Sequence, residues 1–93
     1  MKHFIIVKFK DEVNVKEILD PIKKLFEKAL SIEGIEKVEV HVSNMNLQNR
    51  HDLMIEMELS LMALDEFDNS KIHKQWKEEY KTYIADKTIF DCD

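Results

Sequence analysis

The segment Asn69-Ser-Lys-Ile-His-Lys-Gln-Trp76 places one histidine, His73, early on a predicted amphipathic helix. An imidazole titrates near neutral pH, so this side chain could act as a general base, and Asp52 or His3 could orient its ring if the strands bring them close. The alternative is a half-buried helix histidine that hydrogen-bonds a backbone carbonyl and has no chemical role. The sequence leaves both interpretations open.

Carboxylates and histidines elsewhere in the chain raise the question of a metal site, because mixed nitrogen and oxygen ligands suit divalent ions. Asp52 and Glu56 lie four residues apart on one predicted strand face, about 13 Å by strand rise, which is too far to share one ion. Asp52 together with His3 on a neighbouring strand stays open as an alternative. His41 and His51 are expected at the surface or at a strand edge, without a role. We therefore predict neither a metal nor a cofactor.

Composition excludes several classes of function. The 93 residues, 44% of them hydrophobic, are typical of a single domain over residues 1–93. A net charge of −5 argues against nucleic acid, which requires a basic surface. The longest early apolar run, Phe4–Val7, is too short for a signal peptide, and no segment approaches the ~20 apolar residues that span a membrane. Cys92 is the only cysteine, so no internal disulfide can form. We expect a cytoplasmic protein that binds neither membranes nor nucleic acid.

Hydrophobic periodicity predicts the order β-α-β-β-α-β with a split second helix. Strands alternate apolar and polar residues, and helices repeat apolar residues every three or four positions. The predicted elements are a strand over 3–10, a helix over 14–32, strands over 35–43 and 51–60, helices over 61–68 and 70–85, and a strand over 87–92. Asp20 followed by Pro21 predicts a bend or a restart of the helix, and Gly34 predicts the end of that helix in a left-handed conformation.

This order indicates an α+β, ferredoxin-like antiparallel sheet with its helices on one face. The first strand is apolar on both faces, because the row from His3 to Phe9 and the row with Phe4 and Ile6 both carry large hydrophobic residues. One row therefore needs a second cover besides the helices. Two sheets packed face to face would provide it, which predicts a homodimer with the form of an α+β barrel.

Three segments together resemble the stress-responsive dimeric α/β-barrel domain family: Lys2–Glu12, Asn69–Trp76 and Ile89–Asp91. The resemblance extends over nearly the whole chain. It implies a dimer in which each protomer has a cleft between sheet and helices, with His73 as the catalytic candidate. The residues expected to line that cleft are His3, Ile5, Val7, Asp52, Met54, Phe67, Trp76 and Ile89.

The resemblance also limits the chemistry. A plant polyketide cyclase of this family uses a histidine that His73 matches, together with a tyrosine that is Phe67 here. Phe67 can neither take a proton nor donate to an oxyanion, so we do not predict that cyclisation. Asp52 stands where the cyclase has a further histidine. Whether Glu56 and Glu58 face the barrel interior or water stays open.

Three functions are compatible with these residues. The first is binding of a small molecule by a homodimer in the cleft around His73. The second is a lyase, cyclase or isomerase that uses His73 as general base on a compact polar substrate. A cofactor-free monooxygenase of the same barrel architecture is weaker, because it has only fold analogy in its favour. Trp76 and Tyr80, four residues apart on one helix, are more typical of core than of ligand contacts.

Overall fold

Four antiparallel strands in the order β2-β3-β1-β4 form the sheet of the computed structural model, which describes residues 1–93. This is the predicted α+β, ferredoxin-like fold. None of the helices combines the length and the apolar character needed to cross a bilayer. The elements are β1 Lys2–Phe9, α1 Val15–Glu27, β2 Ile35–Val42, β3 Leu53–Leu59, α2 Leu61–Asp68, α3 Lys71–Tyr80 and β4 Ile84–Cys92, with 3₁₀ turns at Lys28–Ser31 and Lys81–Tyr83.

Strand β1 lies inside the sheet and buries alternate side chains beneath the helices. His3, Ile5, Val7 and Phe9 are buried, whereas Phe4, Ile6 and Lys8 on the other face are only half-buried. Strand β3 has the same alternation, and its Ile55 lies directly opposite Ile5. The helices therefore cover the row from His3 to Phe9. We call the other side of the sheet, which carries Phe4 and Ile6, the open face.

Aromatic side chains join the three helices above the covered face. The Phe26 ring of α1 meets Trp76 of α3 edge to face, with centroids 5.0 Å apart, and Phe67 of α2 at 6.1 Å. Tyr80 extends the cluster, 5.2 Å from Trp76. All four are buried. Aromatic pairs in this geometry add about 0.5–1.5 kcal/mol each beyond their burial, so the cluster fixes the helices relative to one another.

Helix α1 begins at Val15, earlier than Asp20, and continues through Pro21, so the helix does not restart there. Its N-cap is Asn14, whose side-chain oxygen accepts a hydrogen bond from the Lys16 amide at 3.1 Å. Pro21 cannot donate to the Glu17 carbonyl, but both residues lie on the exposed side of the helix, where water can satisfy that carbonyl. The apolar stripe on the opposite side therefore stays continuous.

Gly34 has the predicted positive φ, 95°, but it does not cap α1, which ends at Glu27. It instead turns the chain into β2, close to the start of α2. A Cβ on Gly34 would lie 2.8 Å from the Ser60 hydroxyl oxygen, and Ser60 is the N-cap of α2. The Ser60 amide also donates to the Gly34 carbonyl at 3.1 Å. Both the backbone conformation and the space at this position require glycine.

The last helix is shorter than predicted. Helix α3 ends at Tyr80, and β4 already begins at Ile84, within the region predicted as helix. The Lys10 amide donates to the Tyr83 carbonyl at 2.9 Å, and Ile84 pairs with Phe9 across a register shift in β1. Pairing with β1 thus outweighs the helical preference of these residues. That preference is weak, at most about 0.7 kcal/mol per residue.

Replacement of Gly34 by alanine is expected to lower the free energy of unfolding by about 1–3 kcal/mol, because the new Cβ would meet both an unfavourable φ and the Ser60 hydroxyl. Urea unfolding followed by circular dichroism measures this difference. The control is Glu33→Ala, an exposed neighbour that should change stability by less than about 0.5 kcal/mol. Equal unfolding midpoints for the two variants would contradict the role given to Gly34.

Candidate functional site

The turn between α2 and α3 positions His73 through one serine hydroxyl. Ser70 is the N-cap of α3, and its oxygen accepts a hydrogen bond from the His73 amide at 3.2 Å. The same hydroxyl donates to the Phe67 carbonyl at 2.6 Å. Ser70 therefore satisfies one free amide at the start of α3 and one free carbonyl at the end of α2. As a result, His73 lies in the first turn of α3, next to the end of α2.

One nitrogen of the His73 ring is engaged and the other is free. Nδ1 lies 3.1 Å from the Asp68 carbonyl oxygen, which has no proton to give, so Nδ1 carries the proton and donates it. This is the bond expected of a histidine with a purely structural role, but it uses only Nδ1. Nε2 makes no hydrogen bond within the protein, and in this tautomer it is an acceptor. The ring packs at 5.3 Å from the Phe67 ring, which holds its plane.

The surroundings of His73 favour the neutral imidazole. Burial lowers the pKa of His73 below its ordinary value of 6.5, and the ammonium of Lys77 lowers it further. The charge and the carbonyl of Asp68 act in the opposite direction, and Lys87 on β4 adds a smaller lowering effect. The net shift is downward, so His73 is uncharged at neutral pH and its Nε2 can accept a proton.

An open hollow of about 310 Å³ lies beside His73. Its lining is entirely polar and carries three lysines against one carboxylate: Asp68, Asn69, Ser70, Lys71, His73, Lys74 and Lys77. A second hollow of about 700 Å³, between α3 and the start of β4, shares Lys77 with it and includes the edge of Trp76. The surface around His73 is thus more positive than the chain as a whole, whose net charge is −5.

Most of the apolar residues proposed for the cleft lie in the core. Ile5, Val7 and Phe67 are buried between the sheet and the helices. Phe67 contacts the His73 ring from inside, and Trp76 borders the larger hollow while most of its surface is buried. These side chains support the wall behind His73. The space beside the histidine is formed by polar residues of the α2–α3 turn instead.

The remaining proposed residues are distributed over the sheet. Met54 points to the open face, and Ile89 is exposed on the edge strand β4 opposite Ile5. Asp52 accepts a hydrogen bond from the Phe9 amide at 2.8 Å, at one end of β1. His3 lies near the other end of β1, where its Nδ1 is 2.5 Å from a carboxylate oxygen of Asp91. Neither residue hydrogen-bonds His73.

His3 and Asp52 are not positioned to share a metal ion. Asp52 is bonded to Phe9, six residues along β1 from His3, which is about 20 Å by strand rise. Glu56 and Glu58 both point to the open face, away from the helices. The carboxylates of β3 therefore lie on the side of the sheet opposite to His73.

Two histidines without a predicted role have carboxylate neighbours. His41 on β2 lies 3.1 Å from Glu56 and 3.4 Å from Glu39. His51, before β3, lies 3.3 Å from Asp86 on β4. The i, i+2 spacing of Glu39 and His41 places them on one strand face and was visible in the sequence. The approach of Glu56 and Asp86 depends on strand register, which the sequence did not provide.

Comparisons with known proteins agree with this architecture. The model of the family described as Stress responsive A/B Barrel Domain matches residues 1–93. No curated protein is similar enough to count as a match. A dimeric protein of unknown function and ferredoxin-like fold from Bacteroides fragilis is 24% identical, with a TM-score of 0.74 over 99% of this chain and 93% of its own.

Two further solved structures share the fold at lower identity. A dimeric ferredoxin-like protein from Thermobifida fusca has a TM-score of 0.80 at 11% identity, over 96% of this chain and 85% of its own. The hydroxynitrile lyase from Passiflora edulis has a TM-score of 0.74 at 12% identity, over 96% and 87%. At these identities the likeness shows the fold alone.

The His73 imidazole is expected to titrate below pH 6.5, and Lys77→Gln should move its midpoint upward because it removes a lowering charge. The unfolded chain binds this proton more tightly, so the stability that His73 contributes is full above about pH 6.5 and is lost as pH falls through the folded pKa. Ring-proton chemical shifts measured against pH by NMR give the midpoint.

The matched control is Lys74→Gln, which removes the same charge from α3 at a position that does not influence the pKa of His73. A midpoint at or above 6.5 in the unmodified protein, or equal shifts in the two variants, would contradict this account of the site.

Proposed function

Since the chain belongs to the stress-responsive A/B barrel domain family, we propose that it forms a homodimer and binds a small polar molecule in the hollow beside His73. The observation that carries the binding proposal is the free Nε2 of His73, an acceptor in an uncharged ring at the wall of an open, lysine-lined hollow. The homodimer has separate support, from the open face of the sheet.

The open face carries apolar side chains that a single chain leaves in contact with water. Phe4 and Phe90 lie opposite each other on β1 and β4 with ring centroids 6.2 Å apart, and Phe90 is 56% exposed. Ile6 and Met54 lie opposite each other on β1 and β3, on the same face. Burial of such surface contributes about 25 cal/mol per Å², and a second copy supplies a matching apolar face. The relatives from Bacteroides fragilis and Thermobifida fusca are described as dimeric.

The lining of the hollow indicates the chemistry of the ligand. Three lysine side chains and only one carboxylate border it, which favours a molecule with a carboxylate, phosphate or polarised carbonyl oxygen. A hydroxyl or amide group of the same molecule can donate a hydrogen bond to Nε2 of His73. The volume of about 310 Å³ is at the lower end of ligand sites, so the ligand is compact.

A second candidate is a lyase or isomerase with His73 as general base. A neutral imidazole with Nδ1 held by the Asp68 carbonyl can take a substrate proton at Nε2, and the Lys77 ammonium can stabilise the oxyanion left behind. In an isomerisation the imidazolium returns the proton to a different carbon atom; in a lyase reaction the bond to the leaving group breaks, and the leaving group takes the proton. The hydroxynitrile lyase from Passiflora edulis shows that this fold is compatible with a lyase. The polyketide-cyclase reaction lacks a donor at Phe67, and the monooxygenase hypothesis has only the shared fold in its favour.

The dimer is tested by placing a charge on the open face. Sedimentation equilibrium of the unmodified protein is expected to give twice the chain mass, and Phe90→Glu should shift the molecules to monomers because the partner face would have to desolvate a carboxylate. Leu61→Glu is the control, since Leu61 is 74% exposed but lies on α2 above the other face. A monomeric unmodified protein, or equal behaviour of the two variants, would refute the homodimer.

Ligand binding is tested by titrating the protein with a panel of small carboxylic and phosphoric acids and following backbone amide shifts by NMR. At least one compound should perturb residues 68–77, and His73→Ala should weaken its binding about tenfold, or 1.4 kcal/mol. His51→Ala, a histidine outside the hollow, should bind as the unmodified protein does. A panel without binders at these residues, or equal affinity in both variants, would count against the His73 site.

A further inference from the structure

We propose that the open face of the sheet holds a second, separate site: a divalent transition-metal ion, with Zn²⁺ as the best fit, bound by Glu39, His41 and Glu56. The side-chain atoms that these residues can offer as ligands lie within 4.8 Å of one another. One imidazole nitrogen with two carboxylate oxygens is a donor set typical of such ions. The site lies on the other side of the sheet from the helices and His73.

Regular strand pairing brings the three residues together. Glu39 and His41 are two apart on β2 and therefore point to the same face. Glu56 on β3 is the direct partner of Glu39 in the antiparallel register, and His41 reaches it on the diagonal. Because all three belong to hydrogen-bonded strands, their Cα positions are fixed before any ion binds. Ligands on such rigid elements lose little entropy on binding.

The distances already match those between ligands of one small ion. Nε2 of His41 lies 3.1 Å from Oε1 of Glu56 and 3.4 Å from Oε2 of Glu39. Zinc bonds to nitrogen and oxygen of about 2.1 Å place neighbouring tetrahedral ligands about 3.4 Å apart. An ion thus requires only small side-chain adjustments. Three protein ligands would leave one position for water, the arrangement of zinc sites that exchange ligands.

Lys37 lies near the carboxylate oxygens of Glu39 and Glu56 that do not face His41. Its ammonium lies 3.4 Å from Oε1 of Glu39 and 3.9 Å from Oε2 of Glu56. It orients the two carboxylates with their other oxygens toward His41. Outer contacts of this kind are a regular part of metal sites.

The two carboxylates of the cluster repel each other. Glu39 and Glu56 face each other directly across the strands, an unfavourable arrangement for like charges. Lys37 lies near both of them and offsets one charge, while Lys2 on β1 is the direct partner of the neighbouring Glu58. A dication between Glu39 and Glu56 would offset the remaining negative charge and relieve their repulsion.

The test uses the full chain after chelator treatment and dialysis. Calorimetric titration with Zn²⁺ should show one ion bound per chain, and Co²⁺ in its place should give visible absorption bands from the bound ion. His41→Ala and Glu39→Gln should each weaken Zn²⁺ binding at least tenfold. Circular dichroism confirms that each variant is folded, and Glu39→Gln is isosteric at an exposed position.

Two controls match these variants. His51→Ala removes another histidine that has a single carboxylate neighbour, and Glu36→Gln removes the same charge from β2 at a position outside the cluster. Both should retain the unmodified affinity within about twofold, or 0.4 kcal/mol. Absence of Zn²⁺ binding, or an equal loss in a variant and its control, would overturn the site. Either result leaves the proposal for the His73 hollow unaffected, because other residues line that hollow.

Discussion

Strand β1 is inside the sheet and carries large apolar side chains on both sides, so each side needs a cover. The helices cover Ile5, Val7 and Phe9, and the aromatic side chains of the helices meet above these residues. The same aromatic side chains hold α2 and α3 against α1, and His73 lies in the first turn of α3. Phe4 and Ile6 on the other side receive no cover from their own chain. The packing of the helices and the case for the proposed homodimer therefore both depend on this one strand.

Strand alternation made much of the fold predictable, since residues that alternate in the sequence also alternate in burial along β1 and β3. Helix α2 has the predicted extent. The Ser60 side chain caps its first turn, and no other local signal in these residues competes with the helical pattern. The errors arose where two local signals disagreed. Asp20-Pro21 is typical of a helix start, but Asn14 had already begun the helix. Residues 84 and 85 suit a helix, but β1 offered them a strand partner.

The site was less predictable than the fold, because its chemistry depends on contacts between elements. The sequence pointed to His73, yet the causes of its lowered pKa include Lys87 on a distant strand. Ile5 and Phe67 are residue types that often line pockets, but only the folded structure shows that both are buried in the core. His41 appeared to be an isolated surface histidine until strand register placed Glu56 beside it. The type of each residue can be read from the sequence, but its neighbours in space depend on how the whole chain folds.

The bonds at Ser70 have a mechanical consequence. The Ser70 hydroxyl donates to the Phe67 carbonyl, and the His73 ring donates to the Asp68 carbonyl, so the imidazole of α3 is hydrogen-bonded to the end of α2. Helix α2 is a rod of eight residues, about 12 Å long, whose other end presents the exposed side chains of Leu61 and Met62. A tilt of α2 relative to α3 would therefore change the hydrogen bond between Asp68 and His73, and with it the orientation of the imidazole ring.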